Sequence, residues 1–437
     1  MPKEDQNQLK KNYFWNTLGS LMNALSSALL LLVVTRILGP YYGGIFSLAF
    51  AVGQQFQVLG AFEMRPFQAT DINEKYPFGV YLGSRIITCL LMLVALGIYS
   101  VFSNGLSEDA LLLFLVANLK LFDAAEDVFH GMFQQRGRLD IAGRSFFFRA
   151  LITFLAFALG CVATNNMIIA CALSYCCSAA AFFFLNILPA KAFSSLVPVF
   201  SFRQIGRLLL ACAPLFIGVF LLNDLVNVPR YGIDANLDKA DQTLYAVLFM
   251  PALVINLLAG FIFKPLLTSL AWIWNQRNVR RFFLTIAKGC GAVLIATAFV
   301  VALAYPLGLP VLSWLYAIDL SGRLPELMLL LLGGFFNALS VIFYYALVTM
   351  RIQKVVAVGY AISDALARIL CNPLIQGQGL LGAVILYDIA MGSLCLLFFV
   401  FAIGGFIHKR NSTLRENKTP GQVNSTEERC ENTTAPH

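Results

Sequence analysis

Twelve apolar stretches divide this chain, with polar or basic residues between them. They run at approximately 13–35, 43–62, 79–102, 110–131, 146–163, 167–189, 208–226, 242–270, 282–304, 324–349, 355–372 and 380–407. Each is long enough, as a helix, to cross a hydrocarbon core of about 30 Å with some tilt. The stretches between them are under about 20 residues, which leaves no room for a folded domain outside the membrane. The pattern predicts an all-α polytopic membrane protein of about 12 transmembrane helices. Only 408–437 departs from it. That tail is polar, rich in Asn, Thr and Glu, and is expected to be disordered.

Composition supports the same class. Of the 437 residues, 59% are hydrophobic and 12% charged, against about a quarter charged in a soluble domain. The net charge of +8 would suit nucleic acid, but its placement points elsewhere. With the N-terminus inside, the inner segments carry 21 Lys and Arg. The outer loops carry four, Arg36, Arg230, Lys239 and Arg323. That asymmetry is the positive-inside signature. It predicts both termini on the cytoplasmic side, excludes nucleic acid as a partner, and leaves membrane lipid as the partner of the basic residues. The first helix is long and lacks a small-residue cleavage site, so it is read as retained. Dividing the chain near residue 200 leaves six spans on each side, a bundle over 1–200 and another over 201–407. The loops QQRGRLDIAGR and TMRIQKVVAVG occupy matching places in the two. Nine of the ten cysteines lie in apolar stretches, and only three His are present. No metal site and no cofactor are expected, apart from a coupling Na⁺ or H⁺.

Polar residues inside the spans are the candidates for function. Asn16, Ser20, Asn23 and Ser27 recur at i, i+4, i+7 and i+11 and share one stripe of the first helix. Such a stripe faces either a wet cavity or a neighbouring helix. Gln54 in the second span favours the cavity, because amides both donate to and accept from sugar hydroxyls. The fourth span holds Lys120, Asp123, Glu126, Asp127 and His130. Four of these, Lys120, Asp123, Asp127 and His130, fall within about 80° of one another. They mark either a substrate path or a self-neutralising network. Arg85, Arg149 and Lys288 lie near the inner surface, where long side chains snorkel. Together with Lys264 they would otherwise ring a vestibule fit for a pyrophosphate. Asp224, Asp364 and Asp388 are candidates for a coupling ion, with Arg368 placed to pair with Asp364 at i, i+4. Prolines at 214, 251 and 265 suggest bending helices.

No G-x-S-x-G, H-E-x-x-H or P-loop pattern occurs, and the predicted outer loops are short. These features argue against an enzyme, including a membrane polymerase or ligase. The opening NYFWNTLGSLMNALSSALLLLVVTRILGPYYGGIFSLAFAV, with Thr35-Arg36-Ile37-Leu38-Gly39-Pro40 and Gly43-Gly44, resembles bacterial polysaccharide biosynthesis proteins. These are the Wzx-type oligosaccharide-lipid flippases of the MOP (multidrug/oligosaccharidyl-lipid/polysaccharide) exporter superfamily. GMFQQRGRLDIAGR is a second point of similarity. The resemblance implies two six-helix bundles around a central cavity, as in the MATE architecture, in the bacterial cytoplasmic membrane. It also implies alternating access carrying an undecaprenyl-pyrophosphate-linked oligosaccharide, with other polysaccharide-assembly proteins as partners. A cation-coupled multidrug exporter of the MATE branch shares that architecture. It would favour an acidic, aromatic-lined site.

Overall fold

The computed structural model describes residues 6–416 apart from 72–73, 264–269, 271–272, 275, 277–278 and 351. The side chains of 261–263, 279, 353–354 and 406–416 are likewise undescribed. Among the described residues every regular element is helical.

The first bundle contains α1 (Gln6–Leu38), α2 (Pro40–Ala61), a short α3 (Met64–Thr70), α4 (Phe78–Asn104), α5 (Glu108–Asn118) and α6 (Lys120–Gln135). It is completed by α7 (Leu139–Thr164), α8 (Met167–Phe182), a π turn (Phe183–Ile187) and α9 (Leu188–Ala190). The second contains α10 (Phe202–Asn236), α11 (Lys239–Phe263), α12 (Val279–Tyr316), α13 (Leu324–Thr349) and α14 (Gln353–Glu416). Among the described residues ten helices are apolar and long enough to cross a membrane. The charged α5–α6 pair adds an eleventh crossing, and α14 counts twice because it kinks at Gly379 (φ 59°). The chain is a multi-pass membrane protein with twelve crossings.

Several boundaries differ from the sequence reading. The fourth crossing is interrupted at Leu119. There the Asn118 amide donates to the Phe114 carbonyl at 3.0 Å and the Leu119 N–H tightens onto Val116 at 3.1 Å, so a side chain competes with the helical ladder. Three outer loops are mostly helix. The segment after residue 226 continues α10 to Asn236 through Pro229, and 305–316 continue α12 through Pro306 and Pro310. The segment 373–378 stays helical up to the kink. At the other end of α14 the backbone remains helical to Glu416, so the expected disorder does not begin at 408. The rest of that tail, 417–437, lies outside the described residues.

Close packing sets the frame of each bundle. α1 lies along α7, where Gly143 meets the Trp15 backbone and Gly19 meets the Gly143 carbonyl. Removing Cβ there lets the two backbones touch, which is how membrane helices associate without a hydrophobic drive. In the second bundle α14 packs against both α10 and α13. α10 belongs to both halves. Ile205, Leu208 and Cys212 from its first part enter the core of the first bundle, and Leu225, Val228 and Ile233 enter the main core.

The bundles meet at the end remote from the termini. Arg36 donates from Nε to the Leu315 carbonyl at 2.6 Å and from Nη2 to the Trp314 carbonyl, and its guanidinium stacks on the Trp314 ring. A cation thus caps the C-terminal carbonyls of α12 from the opposite bundle. Thr243 Oγ1 donates to the Pro40 carbonyl at 2.5 Å, and Gly44 sits flush on the Lys239 carbonyl. At the terminal end, α1 buries only Asn12 and Gly19 before Ser26. The seal therefore depends on Gly44 having no side chain. Gly44→Val is expected to force the sealed end apart. Thiol labelling of Thr243→Cys from that side should be several-fold faster in the Gly44→Val background than without it.

Candidate functional site

A cavity of about 330 Å³ lies between the bundles, walled by α1, α2, α10 and α11. Its polar lining is Asn23 and Ser27 from α1, Ser47 and Gln54 from α2, Asn223, Asn227 and Arg230 from α10, and Asn256 from α11. Phe46, Phe50 and Phe249 supply its aromatic walls. The volume is within the range of small-molecule sites.

Helix periodicity explains how these groups converge. Asn223, Asn227 and Arg230 recur at i, i+4 and i+7 and share one face of α10, as Asn16, Ser20, Asn23 and Ser27 do on α1. Of that α1 stripe, Asn23 and Ser27 line the cavity. Asn16 is half-buried and Ser20 is exposed, farther toward the terminal end. Gln54 lines the wall. Its neighbour Gln55 instead joins the bundles, donating to the Phe220 carbonyl at 3.2 Å and accepting from Asn223 at 2.9 Å.

Arg230 is the only charged side chain among the described lining residues. It lies six residues before the end of α10, roughly 9 Å from the sealed end at 1.5 Å per residue. Nη1 donates to Asn227 Oδ1 at 3.0 Å, and the guanidinium sits 5.3 Å from the centroid of Phe249. It makes no ion pair among the described residues, so its charge is oriented by an amide and an aromatic face. The remaining donors can serve an anion. The sequence pattern alone puts Arg230 in an outer loop. Pro229 looks like a helix stop, yet the α10 periodicity runs straight through it. Asn223, Asn227 and Asn256 also escape the sequence reading, although the i, i+4, i+7 spacing is the signal for the α10 group.

The other described intramembrane charges lie outside the cavity. Arg149 is buried at the centre of a network in the first bundle. It donates to both oxygens of Glu126 at 2.7 Å, and to Asp123. Lys120 pairs with Asp123 at 2.7 Å and lies 4.5 Å over the Phe50 ring, the reverse face of a cavity wall. The π turn brings Asn186 toward Glu126 at 3.4 Å, and His130 approaches the same carboxylate at 4.0 Å. Asp127 forms a second group with Arg85 at 2.8 Å and Arg65 at 3.8 Å, while Arg85 also donates to the Gly60 carbonyl at 2.6 Å. In the second bundle Arg368 joins Asp364 at 3.1 Å and also Asp224. Lys288 is exposed on α12. Lys264 and Pro265 lie outside the described residues. Asp388 stands apart, with a buried Oδ1 that has no hydrogen-bond partner. Among the described residues no group of three or more His, Cys, Asp or Glu is placed to hold a metal ion.

No protein-family model matches the chain, and no curated protein matches it. Solved structures do. An inward-facing multidrug resistance MATE family transporter of the MOP superfamily is 16% identical. That match covers 93% of this chain and 96% of that one, with a TM-score of 0.60. The MATE multidrug transporter DinF-BH, solved as a complex, is 13% identical over 93% and 96%, with a TM-score of 0.61. An outward-facing MATE family transporter of the same superfamily is 14% identical over 92% and 96%, with a TM-score of 0.55. The chain has the twelve-helix fold of MATE transporters.

The charge network generates a stability prediction. Arg149→Ala would leave Asp123 with Lys120 alone, and Glu126 with only Asn186 and His130 near it, in a buried site. Breaking such a pair costs about 3–5 kcal/mol. The variant is expected to lose most of its membrane level and to melt well below the wild-type chain in detergent. Arg368→Ala is expected to cost less, because the Arg368 side chain is 55% exposed and water screens what remains.

Proposed function

We propose that this chain is a flippase. It moves a lipid-linked oligosaccharide with a pyrophosphate headgroup across the bacterial cytoplasmic membrane by alternating access, for surface polysaccharide biosynthesis. The observation that carries this reading is the polarity of the cavity. Among the described lining residues its single charge is the cation Arg230, no carboxylate is present, and seven side chains are amides or hydroxyls. An arginine without a counter-ion recognises phosphate oxygens. The donors and acceptors that the amides and hydroxyls leave free can match those of a sugar.

The likeness to MATE transporters favours a second reading, export of organic cations. That chemistry asks for a carboxylate facing the ligand, and Arg230 would repel such a cargo. The basic-residue asymmetry puts the termini on the cytoplasmic side. On that basis the sealed end is the outer one, and the present conformation is the one that loads from inside.

The reading is tested in the native host by deleting the protein and following lipid-linked oligosaccharide by leaflet. Completed units held on the cytoplasmic side, with surface polymer lost, are the expected result. Normal polymer with new sensitivity to cationic drugs would favour the multidrug reading, and flipped but unjoined units a polymerase. Restoring the strain with Arg230→Gln removes a charge-assisted contact worth about 1.5–3 kcal/mol, equivalent to about 10- to 150-fold in affinity. Transport is expected to fall in that range at unchanged protein level, with Arg230→Lys recovering part of it. Equal transport by Arg230→Gln would overturn the assignment of the anion contact.

A further inference from the structure

Of the three phenylalanine rings among the described lining residues, two already carry a cation from the protein. Arg230 lies 5.3 Å over Phe249, and Lys120 lies 4.5 Å over Phe50. The third ring, Phe46, is packed against Phe50 and Phe157 and is 1% exposed. Arg230 belongs to the cavity wall itself. Lys120 lies behind it, buried in the first bundle.

Local structure explains how a lysine comes to lie there. Gly53 of α2 sits flush on the Ala117 backbone of α5, so the two helices meet without a side-chain layer between them. The fourth crossing breaks at Leu119, and Lys120 opens α6. Asp123, three residues on, anchors the ammonium at 2.7 Å and also pairs with Arg149. Neutralising Asp123 does not require the ammonium to face a ring. Because Phe50 also lines the cavity, the contact has a consequence on the other side.

An aromatic ring attracts cations through the negative charge over both of its faces. A cation held on one face draws that density toward itself, and it repels a second cation across the ring directly. The opposite face becomes a poor platform for a cationic cargo and a better one for an anion. We propose that Lys120 is a positioning residue for cargo selection: acting through Phe50 from outside the cavity, it sets that wall against organic cations. The proposal rests on the cavity being the cargo site, as in the flippase reading, and adds a residue of the first bundle to its selectivity.

The test uses the purified full-length chain, with the rise in melting temperature reporting affinity by mass action. Tetraethylammonium chloride is the cationic probe and sodium pyrophosphate the anionic one, each set against sodium chloride at equal ionic strength. Lys120→Met removes the charge, keeps most of the stem, and leaves Asp123 with Arg149. It is expected to bind tetraethylammonium about 2- to 30-fold more tightly than the wild-type chain, and pyrophosphate no more tightly. Lys120→Arg should keep the wild-type preference. Adding Phe50→Leu to Lys120→Met should abolish the gain, because the ring transmits it. A tetraethylammonium affinity that does not rise overturns the proposal. So does a rise shared by pyrophosphate, a rise shared by Lys120→Arg, or one that survives Phe50→Leu. If Lys120→Met does not fold, Phe50→Leu alone decides. With Lys120 behind the ring, removing the ring should leave tetraethylammonium binding unchanged or stronger, and weaker binding overturns the assignment. Neither probe is a lipid-linked oligosaccharide, so this result and the leaflet assay of the flippase reading can fail independently.

Discussion

Desolvation of charge governs where ionisable groups sit in this protein. In a hydrocarbon slab an ion keeps its charge only if a partner replaces the lost water. Most of the intramembrane charges obey this within a few ångströms. Arg149 takes two carboxylates, Arg85 takes Asp127 and a backbone carbonyl, and Arg368 takes two carboxylates across α10 and α14. These groups cancel locally and serve as struts between helices. Against that background Arg230 is informative, because the same rule forbids a charge in the cavity wall unless something else compensates. Arg230 is offset by an aromatic face, one amide and the cavity.

The backbone imposes a second constraint, and it decides where the bundles can part. Helices that touch through glycine, as α1 and α7 do at Gly19 and Gly143, have no side-chain layer that could slide. They move together. The contact at the sealed end is of another kind, made by one arginine on two carbonyls, one threonine on a third, and Gly44 against the Lys239 carbonyl. Breaking it exposes groups that water readily satisfies, so it suits a reversible seal. α10 complicates a simple rocking of two blocks. Its first part is built into one core and its second part into the other, with Pro214 between them.

Much of this architecture is legible in the chain, for physical reasons. A bilayer requires about 20 apolar residues per crossing, so the twelve stretches can be read off. The stripe from Asn16 to Ser27 is legible because side chains at helical spacing share a face. What that face meets is a tertiary fact: Asn23 and Ser27 reach the cavity, while Ser20 does not. Arg230 is illegible for a different reason. Proline usually ends a helix, but here it costs only one backbone hydrogen bond in a helix of 35 residues. The partners within the fourth crossing are unreadable too. Periodicity says that Asp123 and Asp127 share a side of α6, but not that one meets Arg149 and the other Arg85.

Arg230 owes its setting to the second bundle. Its guanidinium and Tyr387 pack on one ring, Phe249, and it acts electrostatically on Tyr245 and Tyr387. Among the described residues no carboxylate pairs with it, so its charge is not cancelled within the protein. In a medium of low dielectric such a charge holds an anion more strongly than it would in water. On the proposed reading the headgroup of the cargo supplies the missing counter-charge, which ties occupancy of the cavity to the electrostatics of its wall.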